Sequence, residues 1–131
     1  MRGASALERL IEESPDARLR VLVVWEPVLA SDVAPPLNGA LALLHDRRVV
    51  QFWDPGRVVS ADLVRTVNED PGRYGFDDAL PEDFIVWDAV AVFAAGDRWE
   101  GDLPVPAHHG GPVVDDIDET RKAIAGTMRA P

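Results

Sequence analysis

The sequence predicts an α/β domain, because segments of helical period alternate with short apolar runs along the chain. Two of these runs, Leu19 to Trp25 and Val49 to Trp53, are near-continuous in apolar residues, which is the pattern of strands buried on both faces. A helix-period segment separates them, so they are expected to lie parallel and to be joined by a right-handed crossover. The 131 residues fit one domain, 1–131, large enough for a core without disulfides.

The elements follow in order. Ser5 is read as the N-cap of a first helix, with Glu8 completing a capping box and Leu7, Leu10 and Ile11 sharing a face. Ser14-Pro15-Asp16 ends it. Glu26-Pro27 stops the first strand. Pro35-Pro36 suits a helix start, and Leu37, Leu41 and Leu44 repeat at helical spacing up to Asp46. Asp54-Pro55-Gly56 halts the second strand. Ser60 is expected to cap a third helix with Leu63, Val64 and Val67 on its apolar face, broken at Asp70-Pro71-Gly72.

Residues 70–83 read as an irregular loop holding Tyr74 and Phe76. Phe84 to Phe93 is the longest apolar run, interrupted by Asp88. Gly96-Asp97 predicts a hairpin turn into an edge strand near Arg98-Trp99, and residues 101–112 read as a loop. Residues 115–128 form the last helix, with Val114, Ile117, Ile124 and Met128 on its apolar face. Asp115, Asp116, Asp118 and Glu119 come early in it, and Arg121, Lys122 and Arg129 late, which complements the helix dipole.

The order α-β-α-β-α-β-β-α over nearly the whole chain resembles the thioredoxin fold. That resemblance implies a three-layer sandwich, with a central mixed sheet of about four strands and helices on both faces. Val21-Leu22-Val23-Val24-Trp25 looks like the central strand that delivers the family's redox motif. Val90-Ala91-Val92-Phe93-Ala94-Ala95-Gly96-Asp97 resembles the strand and turn after the family's cis-proline. Val24-Trp25-Glu26-Pro27-Val28-Leu29 and Gln51-Phe52-Trp53-Asp54 look like a group of uncharacterised, cysteine-free bacterial proteins of this fold. Two family features have no counterpart. The dithiol position falls near Leu29-Ala30-Ser31-Asp32, and the cis-proline position near Trp87 or Asp88.

Composition narrows the function classes. The chain has no cysteine, which removes thiol exchange, thiolate nucleophiles and thiolate-bound zinc together. Its net charge of −10 would repel a phosphate backbone, so nucleic acid is not an expected partner. No apolar segment is long enough to span a bilayer and no secretory signal is visible, so no membrane partner and a cytoplasmic location are expected. Lys122 is the lone lysine among 13 basic residues, a bias that fits a high-GC bacterial source.

Every tryptophan is followed by a carboxylate: Trp25-Glu26, Trp53-Asp54, Trp87-Asp88 and Trp99-Glu100. The first three close or interrupt apolar runs, and ligands of open α/β sheets bind at strand carboxyl ends. The expected binding crevice is therefore Trp25, Glu26, Asp32, Trp53, Asp54, Trp87 and Asp88, with Trp99-Glu100 apart. Grouped carboxylates suit a hard divalent cation, Mg²⁺ or Ca²⁺, or acid–base work, but acids at strand ends more often serve as solvated or capping groups, and that reading is favoured here. The metal candidates are Glu26, Asp54 and Asp88, with His108 and His109. Adjacent histidines point apart, and the four serines lie in no Gly-x-Ser-x-Gly elbow, so no catalytic residue is assigned. His45, closing a helix, suits the dipole.

The leading expectation is a redox-inactive binding or interaction module with a protein partner, a second copy of itself or a small ligand. The second is a metal-assisted hydrolase or lyase built on the strand-end carboxylates.

Overall fold

The computed structural model describes residues 2–15 and 17–128. Asp16, read above as part of a helix end, and Arg129, read as a late base of the last helix, lie outside the described residues. The chain is mixed α/β. Its elements are α1 (Arg2–Glu12), β1 (Val21–Trp25), α2 (Asn38–Leu41), β2 (Val49–Trp53), α3 (Val58–Glu69), a 3₁₀ turn (Pro71–Tyr74), β3 (Val90–Val92), β4 (His108–Gly110) and α4 (Val113–Thr127).

β1 and β2 pair in parallel with Val21 opposite Val49 and Trp25 opposite Trp53, as the crossover argument expects. β3 and β4 pair antiparallel. Among the described residues these are two sheets of two strands each, in place of the single sheet of about four strands expected above. The ladders are short because the apolar run of 84–93 is strand only at Val90–Val92. Asp88 breaks it, holding the left-handed conformation at φ 47° that a strand cannot include.

The partner of β3 is also corrected. It is His108–Gly110, inside the segment read as a loop, and not Arg98-Trp99. The turn at Gly96 does form, with Asp97 N–H bonded to Ala94 O at 3.2 Å and Ala94 N–H bonded to the Asp97 carboxylate at 3.0 Å. The chain then makes an excursion through Gly101, Pro104 and Pro106, where prolines cannot donate to a ladder, and rejoins β3 when Ala107 N–H reaches Val92 O at 2.7 Å.

Three helix starts differ from the sequence reading. α1 begins at Arg2, so Glu8 is an interior residue of the helix and not the third residue of a capping box. α2 is only Asn38–Leu41, and Leu37 stays exposed. Gln51 limits it, since its side-chain amide donates to Leu41 O at 2.9 Å and Leu44 O at 3.0 Å. α3 begins at Val58, placing Ser60 inside its first turn. The last helix runs close to expectation, starting two residues early with Asp115 and Asp116 in its first turn.

Apolar packing falls into two clusters. Leu10 of α1, Val92 of β3 and Ile124 of α4 form one, with Leu7, Leu19, Ile117 and Ala123 against it. Val67 of α3, Tyr74 and Leu103 form the other, with Leu63, Phe76 and Leu80. Tyr74, read as a loop residue, is buried, and its hydroxyl donates to Leu103 O at 2.8 Å, pinning the proline-rich excursion onto α3.

β1 and β2 are not buried on both faces. Leu22, Val24, Val50 and Phe52 are 58%, 37%, 39% and 48% exposed. The pleat sends these four to one side, and the register puts Leu22 beside Val50 and Val24 beside Phe52. The other face carries Val23, Gln51 and the two tryptophans, all half-buried.

Candidate functional site

The parallel ladder brings Trp25-Glu26 and Trp53-Asp54 side by side, and Asp54 N–H bonds Trp25 O at 2.9 Å. Both carboxylates then turn onto the start of α3. Asp54 accepts from Val59 N–H at 2.8 Å. Glu26 accepts from Ser60 N–H at 3.0 Å with one oxygen and from the Ser60 hydroxyl at 2.5 Å with the other. The helix needs this help, because Arg57, just before it, sits at φ 54° and supplies no side-chain cap. Free amides of a first turn and the helix dipole both favour carboxylates there.

Ser60 extends the arrangement. Its hydroxyl oxygen also accepts from Val86 N–H at 3.0 Å, which ties the segment before Trp87 to the same point. At 2% exposed, Ser60 is closed to a substrate, so its short bond to Glu26 is structural. The Trp25 indole N–H donates to the Gln51 side chain at 2.9 Å, and Trp53 is half-buried.

The remaining crevice residues go elsewhere. Trp87 is 68% exposed. Asp88 faces the start of α4, where Val113 N–H donates to its backbone oxygen at 3.0 Å and lies 3.4 Å from its carboxylate. A Cβ at Gly111 would stand 2.6 Å from the Asp88 carbonyl, so only glycine permits that close approach of backbone, and one at Gly3, 2.7 Å from the Asp88 carboxylate, would push that side chain aside. Asp32 caps its own loop, accepting from Val28 N–H at 3.0 Å and Leu29 N–H at 2.8 Å. Trp99 is 40% exposed and lines an open groove with Val58, Val59 and Asp62 of α3.

β4 sends its two histidines to opposite sides. His108 Nε2 lies 2.6 Å from an Asp116 carboxylate oxygen, which also accepts from the Thr120 hydroxyl at 3.0 Å. His109 Nε2 meets Tyr74 O at 2.8 Å, and its ring stacks on Phe76 with centroids 5.3 Å apart.

The acid and histidine side chains placed to hold a metal ion among the described residues are Glu8, Glu12 and His45. Sequence reasoning gave Glu8 and His45 other roles and gave Glu12 none. Glu8 and Glu12 at helical spacing were a visible signal; nothing local pointed to His45, 37 residues further on. Arg48 and Gln51 were missed as well. Both bind backbone carbonyls, a role that leaves no pattern in sequence.

The fold and these contacts define a cysteine-free mixed α/β protein whose strand-end acids hold a helix and whose first sheet shows an apolar face. No helix among the described residues is long and apolar enough to cross a membrane. Compared with family models, with curated proteins and with solved structures, the chain has no match.

Proposed function

We propose that this chain is a redox-inactive, thioredoxin-like interaction module, and that the outer face of β1 and β2 binds a basic protein partner. The exposed apolar patch of Leu22, Val24, Val50 and Phe52 carries the reading. An apolar patch spanning two adjacent, paired strands is characteristic of protein-binding surfaces. The chain's charge of −10 opposes docking a second copy of itself and favours a partner of opposite sign. Support for the family comes from the element order, the parallel β1–β2 pair, the antiparallel β3–β4 pair and the terminal helix packed on the latter. The larger sheet of that fold belongs to this proposal.

The metal-assisted hydrolase or lyase reading loses ground for a physical reason. Glu26 and Asp54 use carboxylate oxygens on α3 amides, and Asp88 turns to α4. Affinity capture from a bacterial extract tests the proposal, comparing the natural chain with Phe52→Glu, Leu22→Glu and Trp99→Ala. The expected result is a basic protein retained by the natural chain and by Trp99→Ala, lost with the other two, and released by salt as charge screening sets in. Retention by all four proteins would refute it, as would sedimentation showing a homodimer that Phe52→Glu dissociates.

A further inference from the structure

Glu8 and Glu12 lie four residues apart on α1, one turn from each other on one face. His45, in the connection between α2 and β2, closes onto them, and donor atoms of the three side chains all lie within 4.8 Å of one another. Two carboxylates at this spacing repel. The neighbouring cation does not pair with them: the Arg48 guanidinium binds Asp46 and the carbonyls of Ile11 and Ser14.

A second observation points to a ligand. Glu8 is only 6% exposed, and its Oε1 is buried without a hydrogen bond. The other oxygen accepts from His45 N–H at 3.2 Å. Oε1 lies 3.0 Å from His45 Nδ1, close enough for an ion pair yet outside hydrogen-bond geometry. Ligand atoms about 2.0–2.1 Å from a four-coordinate zinc stand roughly 3.3 Å apart, so this spacing resembles an edge of such a polyhedron. Glu8 Oε1 thus has an imidazole nitrogen beside it but no hydrogen bond, and a cation between the two would be held by both.

We propose that Glu8, Glu12 and His45 form a divalent transition-metal site. One imidazole and two carboxylates suit Zn²⁺ better than Mg²⁺ or Ca²⁺, which take oxygen ligands. Glu12 and His45 are exposed, so the outer side of the ion is open to water. The ion joins α1 to the segment entering β2 and so acts as a staple across a long loop. The site is independent of the β1–β2 face.

Chelator-treated protein titrated with Zn²⁺ alone, and with Co²⁺ as a spectroscopic probe, tests the site. The expected result is a rise in Tm of roughly 5–10 °C at a hundredfold excess over Kd, together with Co²⁺ ligand-field bands in the visible. Glu12→Ala changes an exposed side chain, so its metal-free Tm should stay within roughly 2 °C; His45→Ala also takes away the imidazole 3.0 Å from the buried Glu8 carboxylate and is read against its own metal-free Tm. Each should lose most of the Zn²⁺-induced rise and the Co²⁺ bands. No rise in the natural protein would overturn the proposal, and so would an equal rise in both variants, which would place the ion elsewhere.

Discussion

Replacing Arg48 with alanine is expected to lower stability by about 3 kcal/mol, the range for removing one partner of a largely buried, multiply bonded charge pair. The guanidinium grips Asp46 through Nε at 2.9 Å and Nη2 at 2.8 Å. It also donates to Ile11 O at 2.7 Å and Ser14 O at 2.6 Å, closing the C-terminal end of α1. One side chain thus joins the first helix to the entry of β2. Lysine should recover only part of the loss, because a single ammonium cannot reproduce the planar fork. Urea unfolding at pH 7 measures both variants.

The same pair sets an acid limb. Side-chain and then backbone hydrogen bonds from Arg48 hold the Asp46 carboxyl well below its ordinary value of 3.8. A carboxyl depressed in the folded state contributes stability that is fully present above its unfolded value. That contribution is lost as pH falls toward the folded value. The natural protein should therefore lose stability more steeply below about pH 4 than Asp46→Asn does, and the two should run parallel above pH 6.

The second large effect is expected at Glu26. Glu26→Ala removes both acceptors of Ser60 and one cap of α3, a loss of about 2 kcal/mol. Glu26→Gln should also destabilise, by about half as much, because the charge facing the helix start is gone while one acceptor remains. A cluster of mutually repelling acids awaiting a metal would respond in the opposite sense, gaining stability when one is neutralised. Thermal melts of the two variants without added metal decide between these outcomes.

The sequence showed those features that depend on local periodicity. The parallel β1–β2 pair follows from two Val-rich runs with a helix-period segment between them, and α4 from its charge gradient and apolar spacing. The convergence of Glu26 and Asp54 was legible because both follow strands that were expected to be neighbours. Their capping role was among the expected readings too; what they cap was not, since Ser60 looked like a cap in its own right and is instead the group being bonded. β4 was hidden because His-His-Gly beside prolines carries no strand signal, and it forms by pairing with a distant segment. Glu8 looked like a capping residue because the actual start of α1 lies earlier, at Arg2. The exposure of Leu22 and Phe52 was unreadable, because an apolar strand looks the same whether its second face is covered by its own chain or left for another.

The Tm of Phe52→Glu tests most directly whether the outer face of β1 and β2 is open. If the outer face of β1 and β2 is open in the free protein, a charge at Phe52 meets solvent, and stability should stay within about 0.5 kcal/mol of the natural chain. A loss of about 3–5 kcal/mol, the range for disrupting a buried aromatic, would show that the face is core and contradict the proposed interaction surface.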